Sequence, residues 1–172
     1  AASDVYKRQD ICIVDQYIDF TGNSRAKTFS DVNNVYHVGM ADPYCSELRK
    51  LAEEVMKELG YRYHSKGTYI CIGGPQFSTR AESRMFRNFG DIIGMTACPE
   101  TQLAREAEMC VLNLAMITDY DVWKEEVVST EEVLRTMKEN ITKINKIIEK
   151  LIPRIREDYM CSCNQVLKKA KI

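Results

Sequence analysis

Residues 111–117 (VLNLAMI) constrain this chain more than any other stretch. The run is apolar except for Asn113, as expected of a strand covered on both faces. Residues 91–95 (DIIGM) form a second, shorter apolar strand. Between them, residues 99–109 read as a helix. Pro99 suits a first helical position, and Glu100 complements the positive end of the helix dipole. Strand, helix and strand at this spacing predict a βαβ unit with a right-handed crossover. Both strands would then end on the same side of one sheet. Ligands of open α/β sheets bind at the carboxyl ends of strands. The pattern therefore gathers Thr96, Asp119 and Asp121 at one crevice.

Composition narrows the alternatives. The chain has 172 residues and a net charge of −1, and 45% of it is hydrophobic. One domain with a sizeable core is expected. The charge balance argues against a nucleic-acid partner. No apolar run approaches the roughly 18 residues that span a bilayer, so no membrane segment is expected. Seven cysteines scattered among apolar residues fit a reducing cytoplasm better than a disulfide scaffold.

Residues 1–9 (AASDVYKRQ) have no period and are set aside from the fold as a non-native leader. Residues 10–15 read as a strand, 16–21 as a loop and 22–34 as an exposed polar excursion. Residues 46–60 predict a helix with Leu48, Leu51, Ala52, Val55 and Leu59 inward and Gly60 at its end. Residues 61–72 alternate like a hairpin turning at Lys66 and Gly67. His64 shows no partner in the sequence and reads as structural. Residues 80–89 predict a helix beside the turn Gly73-Gly74-Pro75, with Arg80 and Glu82 as an ion pair. The longest helix spans 129–153, with Ser129 and Glu132 as a capping box. Its inward stripe is expected to be Val133, Met137, Ile141, Ile144, Ile148 and Leu151. Residues 10–153 then form one domain, and 154–172 a polar tail. In that tail Cys161 and Cys163 form a CxC pair, short of the four ligands of a structural zinc site. No metal site is expected.

Three blocks stand in order: 73–83 (GGPQFSTRAES), 94–100 (GMTACPE) and 118–125 (TDYDVWKE). Together they resemble the trimeric purine nucleoside phosphorylase family, closest to the branch that acts on methylthioadenosine. The resemblance runs from about Asp10 to about Pro153. It implies an α/β, three-layer nucleoside phosphorylase fold, with a central mixed, largely parallel sheet flanked by helices. It also implies a homotrimer acting on a purine nucleoside and phosphate, with phosphate as co-substrate and no cofactor. Phe77 would pack on the purine, Met95 would lie against the ribose, and Thr96 would bind phosphate. Thr130, Val133 and Leu134 would border the pocket for the 5' substituent. His37, beside Met40-Ala41-Asp42-Pro43, would reach into a neighbouring subunit's site. Some heat-stable members carry a C-terminal cysteine pair like Cys161 and Cys163 as a disulfide.

The chemistry follows from the bond broken. Phosphate attacks C1', the ribose gains oxocarbenium character, and charge leaves on the purine. A protonated Asp119 would donate to N7 and accept from the 6-amino group, and burial beside Met95 and Phe77 would favour that neutral form. Asp121 would assist it or fix the loop. An asparagine at 119 would suit a 6-oxopurine instead. Ser78 also favours adenine, since members acting on 6-oxopurines carry glutamate there.

Taken singly, these residues have plainer readings: Phe77 and Met95 as core, Thr96 as a helix cap, the two acids as loop residues. Their joint order favours a site. Against the family, the segment expected before Asp10 is absent, with its glycine-rich phosphate loop. The chain therefore reads as a C-terminal portion with little activity alone and an exposed sheet edge near Asp10. Two other readings stay open: a phosphorylase of different specificity (adenosine, inosine or methylthioinosine), and a non-catalytic nucleoside-binding module.

Overall fold

The structure, a computed structural model, describes residues 6–123, 129–159, 161–168 and 170. The side chains of Trp123 and Glu132 lie outside that description, so the Ser129–Glu132 cap does too. Two three-stranded sheets form the centre. One has the order β3 (Tyr63–His64), β1 (Ile11–Ile13), β6 (Leu114–Met116). The other has the order β2 (Gln16–Phe20), β4 (Thr68–Ile72), β5 (Ile92–Gly94). The second is wholly parallel, whereas β6 runs antiparallel to β1 and β3 runs parallel to it. Chain continuity links the sheets, because β1 leads into β2 and β3 into β4. Asp15 N–H donates to Gly67 O across the junction, at 3.3 Å.

These pairings correct four expectations. β5 and β6 do not form one βαβ unit, because they belong to different sheets. Residues 61–72 are not a hairpin: β3 and β4 each pair with a parallel neighbour instead. Alternation reports which face a residue takes and says nothing of its partner strand. Residues 16–20 form a strand rather than a loop. The edge expected at Asp10 is absent, since β1 is a middle strand and Asp10 is 3% exposed.

The first described residues belong to the fold, so setting 1–9 aside fails at Tyr6 to Gln9. Tyr6 is buried, and its ring lies 4.1 Å from that of His64. Gln9 N–H donates to Ile117 O. His64 does have a partner: its Nε2 lies 2.8 Å from Asp10 Oδ2, a carboxylate that also faces Arg62 Nε at 3.2 Å.

Helices cover the sheets. α1 (Ser46–Leu59) ends at Gly60, whose φ of 66° is the left-handed conformation that glycine takes at least cost. It packs on β1 and on α4 (Thr130–Leu151). The buried face of α4 is rotated from the expected stripe. Ile147 and Leu151 are buried, while Ile141 and Ile148 are 47% and 42% exposed. α2 (Arg80–Phe86) starts at a capping box of Thr79 and Glu82. Arg80 donates instead to Val122 O at 3.0 Å, so the expected Arg80–Glu82 ion pair is replaced by two separate tasks. α3 (Ala97–Glu106) follows β5. The segment after α4 packs back: Cys163 and Ala170 are buried, and His37 N–H donates to Ala170 O at 2.8 Å. Among the described residues no helix is long and apolar enough to cross a membrane.

Candidate active site

A cavity of about 390 Å³ opens where β5 and β6 end. Its size falls within the range of small-molecule sites. Phe77 and Ser78 come from the turn after β4, and Met95 and Thr96 from the end of β5. Thr118, Asp119 and Asp121 follow β6, and Val133 and Met137 come from α4. The crevice predicted from one sheet is thus built between two, and it still gathers Thr96, Asp119 and Asp121.

The acids are held at the mouth of β6. Asp119 is half-buried, and each of its oxygens accepts a hydrogen bond. Oδ2 accepts from Thr118 Oγ1 at 2.6 Å, and Oδ1 accepts from Asp121 N–H at 2.8 Å. Asp121 is buried, with a φ of 55° that few residues other than glycine adopt. Its Oδ2 has no hydrogen-bond partner among the described residues, and neither does Ser78 Oγ. Buried polar groups are rarely left so. Ser78 and Asp121 both line the cavity.

The opposite wall is shaped by contacts that only glycine permits. A Cβ on Gly94 would overlap the Tyr69 hydroxyl, and one on Gly74 would sit 2.5 Å from Met95 Sδ. Thr96 precedes α3, yet its side chain does not cap the helix. Its hydroxyl lies 3.4 Å from Tyr69 OH and is exposed. The cap reading of Thr96 therefore fails. Burial pushes the Tyr69 phenol above its ordinary pKa, so it stays a neutral hydroxyl beside Thr96. Arg25 ties this wall together by donating to Met95 O, Cys98 O and Gly73 O at 2.6, 2.5 and 3.0 Å.

Of the residues predicted from sequence, Phe77, Met95, Thr96, Asp119, Asp121 and Val133 line the cavity. Phe77 is 48% exposed, so it is not a core ring. Leu134 is 53% exposed and lines a separate surface depression that includes Ser129. Thr130 is exposed at the start of α4, and His37 is exposed away from the cavity lining. Sequence reasoning missed Arg25 and Tyr69. Arg25 sits in the polar excursion with no motif around it. Tyr69 read only as one tooth of an alternating strand.

Over residues 1–153 the chain matches the model of a family described as the phosphorylase superfamily. The chain belongs to this superfamily. Its match takes in the segment around Tyr6 and stops just past α4. The chain is similar to the S-methyl-5'-thioadenosine phosphorylase of Pyrococcus abyssi (strain GE5 / Orsay), at 58% identity over 163 residues. That stretch is 95% of this chain and 63% of the relative. It also superposes on a methylthioadenosine phosphorylase sourced from an Antarctic soil metagenomic library. The TM-score is 0.91 at 34% identity, covering 99% of this chain and 62% of the other. A methylthioadenosine phosphorylase from Schistosoma mansoni in complex with adenine gives a TM-score of 0.82 at 26% identity, covering 88% and 61%. This member of the superfamily thus has the nucleoside phosphorylase fold expected of it, and spans about 63% of the length of the curated relatives it matches.

Proposed function

We propose that this chain carries the base-binding end of a site that splits S-methyl-5'-thioadenosine with inorganic phosphate. The products are adenine and 5-methylthioribose 1-phosphate. One observation carries the reading: a cavity of nucleoside size holds Asp119 braced by Asp121, with Asp121 Oδ2 and Ser78 Oγ buried and unpartnered among the described residues. The similarity to methylthioadenosine phosphorylases supports it.

In the reaction a phosphate oxygen bonds to C1' as the C1'–N9 bond breaks. The electron pair leaves on the purine, and a proton reaches N7. Asp119 in its protonated form donates that proton and accepts from the 6-amino group. Asp121 holds Asp119 through its backbone N–H. A 6-oxopurine would present an acceptor where the acid expects a donor, and such a mispaired buried contact discriminates by roughly 10⁴-fold. Phe77 stacks on the base, Met95 lies against the ribose, and Thr96 offers its hydroxyl to phosphate. Val133 borders the apolar 5' substituent, with Thr130 and Leu134 on the same first turns of α4. No cofactor takes part. We place the enzyme in the cytoplasm as a homotrimer, in which the exposed His37 serves a neighbour's site.

The test is phosphate-dependent turnover of methylthioadenosine, adenosine and inosine. It uses the chain as it stands and a version extended to the length of its relatives. Methylthioadenosine is expected to lead and inosine to trail. Asp119→Asn should lower methylthioadenosine turnover by about 10²–10⁴-fold, the usual worth of a positioned acid. Dominant inosine turnover, or unchanged kinetics in the variant, overturns the assignment.

A further inference from the structure

We propose that Arg25 is a positioning residue that sets how the base-binding wall of the cavity stands against the wall for ribose and phosphate; this rests on the cavity being the phosphorolysis site. Arg25 is half-buried behind the cavity and does not line it. Among the described residues its hydrogen-bond partners are three backbone carbonyls. Nη1 donates to Met95 O at 2.6 Å and to Cys98 O at 2.5 Å, and Nη2 donates to Gly73 O at 3.0 Å. These carbonyls belong to two segments. Gly73 opens the turn that delivers Phe77 and Ser78, whereas Met95 and Cys98 lie on either side of Thr96. A guanidinium is a planar, rigid fork that keeps its charge. One fork holding acceptors from both segments fixes their separation. A lysine ammonium is a single point charge and cannot hold the same three acceptors in one plane.

The fork also orients the residue assigned to phosphate. In a planar trans peptide the C=O and N–H point in opposite directions. Met95 O is turned toward Arg25, and Thr96 N–H donates the other way, to Tyr69 OH at 3.4 Å. Arg25 and Tyr69 thus grip one peptide plane from its two sides. The exposed Thr96 hydroxyl carried by that plane lies 3.4 Å from the same phenol oxygen.

The loop that carries Arg25 is itself anchored. Asp19 stands one residue before the end of β2. Its Oδ1 accepts from Thr21 N–H at 2.8 Å and from Thr21 Oγ1 at 2.7 Å. Its Oδ2 pairs with Lys27 Nζ at 2.6 Å and accepts from Gln102 Nε2 of α3 at 3.1 Å. Residues on both sides of Arg25 are therefore tied to one carboxylate at a strand end. In the phosphorolysis, phosphate on one wall must reach C1' of a nucleoside whose base is held by the other. A misplacement of about 1 Å can cost roughly 10²-fold in rate. Each ligand alone still finds its own wall. Loss of the fork should therefore fall on kcat and spare adenine binding.

The test uses the version extended to the length of the relatives, as wild type, Arg25→Lys and Arg25→Ala. In both variants kcat for phosphate-dependent cleavage of methylthioadenosine should fall by about 10–10²-fold. Adenine Kd, measured by calorimetry, should stay within about threefold of wild type. Added guanidinium ion should restore part of the lost kcat to Arg25→Ala. A purely structural role would instead lower Tm, leave kcat per folded molecule unchanged and give no such rescue. If Arg25→Ala does not fold, Arg25→Lys decides alone. Wild-type kcat in Arg25→Lys would mean that charge suffices without the fork, and overturns the proposal. A loss of adenine affinity as large as the loss in kcat overturns it too, because Arg25 would then shape one wall only. An extended wild type without phosphate-dependent turnover overturns the phosphorolysis reading and this proposal with it. An active wild type matched in kcat by both variants overturns this proposal alone.

Discussion

The packing between β1, α1 and α4 differs from the packing around the cavity in what each leaves undone. In the first, Ile11, Ile13, Ala52, Val55, Met56 and Ile147 are all but inaccessible and touch one another. In the second, Phe77 lies open, and Ser78 Oγ and Asp121 Oδ2 are buried without partners among the described residues. An unsatisfied buried polar atom costs about 1–3 kcal/mol. α4 also buries Asn140, whose Nδ2 and Oδ1 have no partner among the described residues, so it is the apolar contacts, and not a fuller pairing of polar atoms, that set the helical side apart. Ligand contacts should then be tunable on one side without unfolding the other.

The largest effect expected from that separation is on the helical side. Ile147→Ala empties a fully buried position between α4 and β1. It should lower unfolding free energy by about 2–5 kcal/mol in urea titrations. Adenine affinity measured well below the unfolding midpoint should stay the same. If adenine binding weakens as well, the two regions are one cooperative unit and the division fails.

How much of this the sequence revealed also differs between the regions. Around the cavity, Thr96, Asp119 and Asp121 were legible because each lies within a few residues of a strand end, and strand ends are marked by composition, whereas Phe77 and Met95 came only from the family resemblance. The partners of those strands were not legible. β5 and β6 carry the same apolar signature whether they share a sheet or not, since burial fixes the residue type and pairing does not. On the helical side the existence of α4 was clear but its inward face was displaced. Ile141, Ile144, Ile147 and Ile148 all fit a helical period, and only tertiary contact chooses among them. Arg25 was invisible for another reason. Its three carbonyl partners come from two distant turns, and backbone acceptors leave no trace in residue identity.

A smaller effect, opposite in sign on the two readouts, is expected at the cavity. Ser78→Ala removes a buried hydroxyl that has no partner among the described residues. Stability without ligand should hold or rise by up to about 1 kcal/mol. Adenine binding, measured by calorimetry, should weaken by about 2–10-fold, one ordinary hydrogen bond. A loss of stability with unchanged affinity would mean that the hydroxyl serves the fold and that the cavity is less unfinished than the geometry indicates.

The smallest effect tests where the boundary runs. The capping box of α2 adjoins the turn that carries Phe77 and Ser78, yet its own groups are satisfied. Thr79 N–H donates to Glu82 Oε2 at 2.7 Å, Thr79 Oγ1 donates to it at 2.8 Å, and Glu82 N–H donates back to Thr79 Oγ1 at 3.2 Å. The backbone bond from Thr79, and then its hydroxyl, hold the Glu82 carboxyl below its ordinary value of 4.5. A carboxyl depressed on folding stabilises the folded state above its unfolded pKa. The contribution of Glu82 should therefore be complete above about pH 4.5 and vanish as pH falls through the lower folded value. Several other carboxylates are depressed too, among them Glu53 and Asp158, so the wild-type curve alone cannot isolate it. The difference in Tm between wild type and Glu82→Gln, followed from pH 7 downward, does so. The gap should stay constant down to about pH 4.5 and then narrow, while adenine affinity at neutral pH is unchanged. A gap that ignores pH removes the cap from the account. A loss of adenine affinity would move the start of α2 to the cavity side, making the turn and its helix one device.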